Sequence, residues 1–215
     1  MSKHCCTPDS NADDAAYSRV LWAACIINIA MFLVELAVGI SAGSVSLQAD
    51  SLDFFGDGFN YAVSLYLIGK PVVMRAKGSL VKAGSMLLFA VWILGQAVYR
   101  FMSVSKPEAE IITAIGVIAL CANLICFYLL FKFRSGDSNR RSAWLCTRND
   151  VIGNFAVIIA GVGVYLTASN WPDLVVGTIM AVISLVSAVQ IIKHAKDELA
   201  GKVVPNAHDH HGHSH

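Results

Sequence analysis

The sequence predicts an all-α membrane protein with six transmembrane helices, and three observations carry that prediction. Of 215 residues, 56% are apolar and only 14% charged, a balance well removed from that of a soluble domain. Six apolar stretches, roughly 18–41, 46–68, 80–102, 109–131, 143–167 and 173–193, each reach the ~20 residues that a helix needs to span a bilayer. The basic residues also cluster between alternate stretches. Lys3 and Arg19 precede the first; Lys70, Arg75, Lys77 and Lys82 lie between the second and third; Lys132, Arg134, Arg140 and Arg141 between the fourth and fifth; Lys193, Lys196 and Lys202 follow the sixth. Arg100 and Lys106 are left to the opposite face, so the positive-inside rule places both termini in the cytoplasm of a multi-pass protein of the inner or plasma membrane.

The first segment, "VLWAACIINIAMFLVELAVGI", is apolar except for Asn28 and Glu35. The short "SAGSVS" that follows makes segments one and two an antiparallel hairpin. The connection "GKPVVMRAKGS" is basic and holds Pro71 and Gly78. Segment three carries only Gln96 deep within it and ends before Pro107, which can open the fourth helix. Segment four carries Asn123, and the connector "RSGDSNRR" is short. Segment five has an amphipathic first half. Segment six begins at "SNWPD", where Pro172 lies near the start and Asp173 reads as a helix cap.

The chain divides into a tail over 1–17, a membrane domain over 18–195 and a His-rich tail over 196–215. The first 16 residues lack the apolar core of a signal peptide. Cys25, Cys121 and Cys126 read as small apolar fillers within helices. Cys5 and Cys6, in a reducing cytoplasm, read as paired thiols rather than a disulfide. A formal net charge of +1 gives no reason to expect a nucleic-acid partner.

The second segment contains "QADSLDFFGDGFN". Carboxylates at bilayer depth cost several kcal/mol and face a cavity or a partner. At about 100° per residue, Asp53 and Asp57 lie about 40° apart and Asp50 about 60° to the other side of Asp53, so all three share one stripe. Segment five repeats the spacing with Cys146 and Asp150, and places Asn154 one turn further on. If the two faces meet, Asp53, Asp57, Cys146 and Asp150 converge as four ligands. Three oxygens and one sulfur suit a borderline divalent ion, zinc first and cadmium next, whereas calcium and magnesium want more oxygens. Fully ionised, those ligands carry four negative charges and a divalent ion cancels half. Protons must neutralise part of the rest, so metal and proton compete for the same atoms. In a bundle opening alternately to either side, such competition is exchange transport. Gly56 and Gly58 read as leaving space beside this site, while Asp50 is equally consistent with pairing or with ion entry. Asn28, Glu35 and Gln96 read as packing hydrogen bonds between helices.

These residues resemble the cation diffusion facilitator family of metal/proton antiporters. "GSVSLQADSLDFFGD" is similar to that family's second-helix pattern, Gly-Ser and then Asp or His followed four residues later by Asp. "WLCTRNDVIGN" is similar to its fifth-helix pattern of His or Asp followed four residues later by Asp. The resemblance covers roughly 18–195 and implies the family's six-helix bundle, with Asp53, Asp57, Cys146 and Asp150 as the transport site. Zinc-carrying members usually have His where this chain has Cys146, which favours softer metals. Most members also carry a cytoplasmic metal-sensing domain after the sixth helix; here only a tail is expected, so dimerisation through that domain is not carried over and a homodimer is left open. The ligands expected are divalent metal and protons, with the lipid bilayer as surroundings and no permanent cofactor.

The tail "HDHHGHSH" supplies His208, His210, His211, His213 and His215, which with His4, Cys5 and Cys6 make two metal-attracting ends and an accessory capture role. An enzyme is not expected. "FFGDG" is similar to the Gly-x-Gly-Asp motif of intramembrane aspartyl proteases, but Phe54 stands at the first glycine position and Asp150 follows Asn149 rather than tyrosine. The remaining alternative is a non-transporting membrane metal sensor or partner protein.

Overall fold

The computed structural model describes residues 10–66, 72–103, 106–133 and 138–200, all but the connections in six helices. Side chains are described from Ala15 in α1, Lys77 in α3 and Thr147 in α5, and in α6 for all but His194 and Glu198. The helices are α1 Ser10–Ala42, α2 Val45–Tyr66, α3 Val72–Met102, α4 Ala109–Phe131, α5 Ser138–Thr167 and α6 Trp171–Leu199.

Four helices run further than the apolar segments that predict them. Hydropathy marks the part of a helix that meets lipid, whereas a helix continues as long as its residues tolerate helical geometry. The basic stretch through Gly78, read as a connection, is the first part of α3. Residues Ser138–Arg141 open α5, and the "KDEL" after segment six extends α6. Lys, Arg, Glu and Ala are good helix formers, and a single Gly costs only about 1 kcal/mol.

Among the described residues, five helices contain stretches long and apolar enough to cross a membrane: Ala15–Ala42, Lys77–Met102, Ala109–Phe131, Thr147–Thr167 and Trp171–Asp197. The exception, α2, is too polar to qualify by composition. Packing explains how it is accommodated, because among the described residues α2 touches all five other helices. Every residue from Val45 to Leu52 is buried. The surrounding helices turn Trp22, Leu33, Leu88, Tyr128, Ile159 and Ile183 outward, an apolar surface suited to lipid.

The interior is layered. One apolar cluster joins Val45, Leu47 and Leu52 of α2 to Ile93 of α3, Ile112 of α4, Val157 of α5 and Leu174 of α6. At the other end, Tyr17 and Leu21 of α1 pack with Tyr61, Cys126, Leu130 and Phe133. Asp53 and Asp57 of α2 lie between these layers, and Asp50 lies within the span of the first.

The α1–α2 hairpin turns at Gly43, whose φ of 69° lies in the left-handed region that suits glycine. Ser44 N–H donates to Gly39 at 2.9 Å and Gly43 N–H to Ile40 at 3.3 Å, the paired bonds of a Schellman ending. Ser44 then caps α2, its Oγ accepting from Leu47 N–H at 3.1 Å. Asp173 is also a cap, but for α2 rather than for its own helix. Its carboxylate accepts from Val45 N–H at 2.7 Å, Ser46 N–H at 3.1 Å, and the Ser44 and Ser46 hydroxyls at 2.6 Å each. Beside it the two backbones touch: a Cβ on Gly177 would lie 2.6 Å from the Val45 carbonyl carbon. The ends where α2 and α6 begin are thereby bound together.

Candidate metal centre

Placing α2 at the centre points its acidic stripe at helices α1, α5 and α6. Asp57 of α2 and Asp150 of α5 bring their carboxyls against one another. Tyr61, one turn beyond Asp57, donates its hydroxyl to Asp57 Oδ2 at 2.8 Å. The same oxygen lies 2.7 Å from Thr147 Oγ1 on α5, a hydroxyl pair in which either group can donate, and Thr147 also reaches Asp57. Two helices distant in sequence are thus fastened at the carboxyl pair and again one turn away.

Asp53 lies one turn from Asp57 on the same stripe, half-buried, and its Oδ1 accepts from Ser184 of α6 at 3.4 Å. Asp50, a further turn back, is fully enclosed. Asn154 donates to its Oδ2 at 2.8 Å, and Asn123 of α4 donates to Asn154 Oδ1 at 2.9 Å. Glu35 of α1 is wholly buried and faces Asp50. The sequence left Asp50 open between pairing and ion entry; in the structure it accepts from Asn154 and faces Glu35. Glu35, read as an ordinary packing hydrogen bond, instead meets another carboxyl.

Of the four predicted ligands, the structure therefore joins Asp57 to Asp150 and sets Asp53 one turn away. Cys146 lies on α5 one turn before Asp150; its side chain is outside the described residues, as are Cys5, Cys6, His208, His210, His211, His213 and His215. Among the described residues, no three His, Cys, Asp or Glu side chains form a ready metal cluster.

Lys82 was counted with the basic connector, but it is a residue of α3 and buried. Its Nζ donates to Asn60 Oδ1 at 2.6 Å, and its charge lies near Asp57. Arg148, by contrast, lies about 200° around α5 from Cys146 and is exposed on the outer face of that helix. Asn28 donates to Ala24 O at 2.8 Å and to Cys126 Sγ at 3.6 Å, the interhelical role expected of it. Gly58 serves helix packing, since a Cβ there would fall 2.8 Å from Ile29 Cδ1; Gly56 has only ordinary contacts.

Tyr61, Thr147, Ser184 and Lys82 were missed. Tyr61 had a readable signal, lying four residues after Asp57 on the same stripe. The others become visible only when helices are set side by side.

Five helices around a polar central one define a multi-pass membrane protein with an acidic interior. The family model for the cation efflux transmembrane domain matches residues 21–71 and 73–200, and the chain belongs to this family, the cation diffusion facilitators. The chain is 27% identical over 201 residues to the zinc transporter ZitB of Yersinia pestis, covering 87% of this chain and 64% of that protein. It is 21% identical over 199 residues to the cadmium, cobalt and zinc/H(+)-K(+) antiporter of Bacillus subtilis, covering 85% and 63%. It is also 25% identical over 153 residues to the metal cation efflux system protein CzcD of Cupriavidus metallidurans, covering 66% and 48%. The chain thus spans less than two thirds of the length of these relatives.

Proposed function

We propose that this protein exports a divalent transition metal, zinc foremost and cadmium next, in exchange for protons by alternating access. The observation that carries the reading is the contact between the Asp57 and Asp150 carboxyls, at the centre of the bundle and between two helices. Two ionised carboxylates in contact repel each other strongly in a low-dielectric interior. A shared proton or a divalent cation removes that repulsion, so the pair accommodates either and the two compete.

Asp53 and Cys146 complete the ligand set, each one turn from a member of the pair. Tyr61 and Thr147 hold the Asp57 oxygen in place, as groups behind metal ligands commonly do. Metal enters past Asn60 and Lys82, from the end that the basic residues assign to the cytoplasm. The opposite end is held shut where Asp173 and Gly177 bind α6 to α2. Release outward requires α2 and α6 to part there. Both termini are cytoplasmic in this reading, and the histidine tail gathers metal near the entrance.

The relatives' names support a metal cargo, zinc among them. The test is a flux assay in proteoliposomes with zinc, cadmium or mercury outside and an imposed proton gradient, comparing the native protein with Asp57→Ala. Flux that follows the gradient and vanishes in the variant supports exchange. Metal binding without flux would instead mark a sensor.

A further inference from the structure

The polar layer contains a second carboxyl pair that the metal site does not use. Glu35 is 0% exposed, and among the described residues neither of its oxygens has a hydrogen-bond donor. Its carboxyl is nevertheless aimed at Asp50, itself 1% exposed. A buried carboxylate that no donor reaches, set against a second carboxylate, is among the costliest arrangements a membrane interior can hold. One proton between the two groups resolves it.

The surroundings indicate where that proton resides. Asn123 donates to Asn154, which donates to Asp50; this chain presents an N–H to Asp50 and makes it the acceptor. Glu35 is therefore the donor, an acid O–H directed at the Asp50 carboxylate. Among the described residues, the other titratable groups facing the pair are acids, Asp53 on α2 and Asp150 on α5. From the remaining helices come Asn123 of α4, Ser184 of α6 beside Asp53, and Lys82 of α3 beside Asp57. The pair lies seven residues of α2 before Asp57, about 10 Å along the helix.

We propose that the Glu35–Asp50 pair is a proton-binding site distinct from the metal ligands, which loads and releases a proton once in each transport cycle. The proposal rests on the exchange reading above and deepens it. Metal arriving at Asp53 and Asp57 brings positive charge toward the pair, and the Glu35 O–H bond breaks with its proton passing to water. After metal leaves, Glu35 takes a proton from water on the opposite side. Because Asn154 and Asp150 share α5, and Asp50 and Asp57 share α2, both occupancies act on the same two helices.

The test separates coupling from transport. In proteoliposomes, tracer zinc exchange at equal concentrations needs no net proton movement, whereas the steady-state zinc ratio under a pH gradient reports protons coupled per ion. Glu35→Gln keeps a donor toward Asp50 but cannot release a proton. The proposal expects zinc exchange to persist, and the steady-state ratio to fall about tenfold per pH unit, the driving force of one proton. Proton movement measured with an internal pH dye should fall by one per zinc, and Glu35→Asp should restore it.

A Glu35→Gln protein with native stoichiometry overturns the proposal. So do variants that slow exchange and accumulation alike with stoichiometry unchanged, which marks a structural role, and so does accumulation driven by a potassium gradient with no pH difference. A native protein that moves zinc in neither assay overturns the transport reading itself, an outcome distinguishable from all of these.

Discussion

Tyr61 joins Asp57 of its own helix to Thr147 of α5, with hydrogen bonds of 2.8 Å and 2.7 Å from one phenol oxygen. It fixes a candidate ligand oxygen and spans the helix pair between which the metal site is proposed. Tyr61→Phe removes both bonds and keeps the ring that packs with Leu21 and Leu130. Zinc affinity, measured by competition with a chelating dye, should fall about tenfold or more while thermal stability changes little. Unchanged affinity would assign Tyr61 to packing alone.

Lys82 is the cation beside Asp57, and its charge opposes that of an incoming metal. Lys82→Met keeps the apolar stem and removes the charge. Zinc should bind severalfold more tightly, because one repulsive interaction in a poorly screened interior is gone, and leave correspondingly more slowly. Weaker binding would show that Lys82 supports the site geometry instead.

Asp173 accepts four hydrogen bonds from the start of α2 and is 1% exposed. Asp173→Ala leaves the Val45 and Ser46 amides and two hydroxyls without this acceptor. Denaturation in detergent should show a loss of at least about 2 kcal/mol, with Asp173→Asn intermediate. A variant as stable as the native protein would mean that water replaces the carboxylate.

Cys146 sets metal preference if its sulfur is a ligand. Cys146→His exchanges a soft donor for a borderline one, so the zinc-to-cadmium transport ratio should rise. An unaltered ratio would remove Cys146 from the ligand set.

Much of this was readable in the chain. Five of the six helices follow from hydropathy, and the stripe of Asp50, Asp53 and Asp57 on α2 follows from helical period. The i, i+4 spacing of Cys146 and Asp150 also selected the helix that faces it. What escaped depends on contacts between helices, which periodicity does not encode. Lys82 was taken for a connector charge because Gly78 and two neighbouring basic residues masked the helix beneath it. Glu35 could be recognised as an intramembrane acid, but its partner was visible only once α1 lay on α2. Asp173 was legible as a cap, yet its spacing in the chain could not identify the helix it caps.

The claim at the centre of this account is that one metal ion sits between α2 and α5. X-ray absorption at the zinc edge tests it most directly, on protein whose tail histidines and Cys5 and Cys6 are replaced by serine. The account predicts one sulfur near 2.3 Å and oxygens near 2.0–2.2 Å, about the usual zinc distances. The sulfur should disappear in Cys146→Ser, and the bound zinc in Asp57→Ala. Stoichiometric zinc with no sulfur, or zinc retained undiminished in Asp57→Ala, would contradict it.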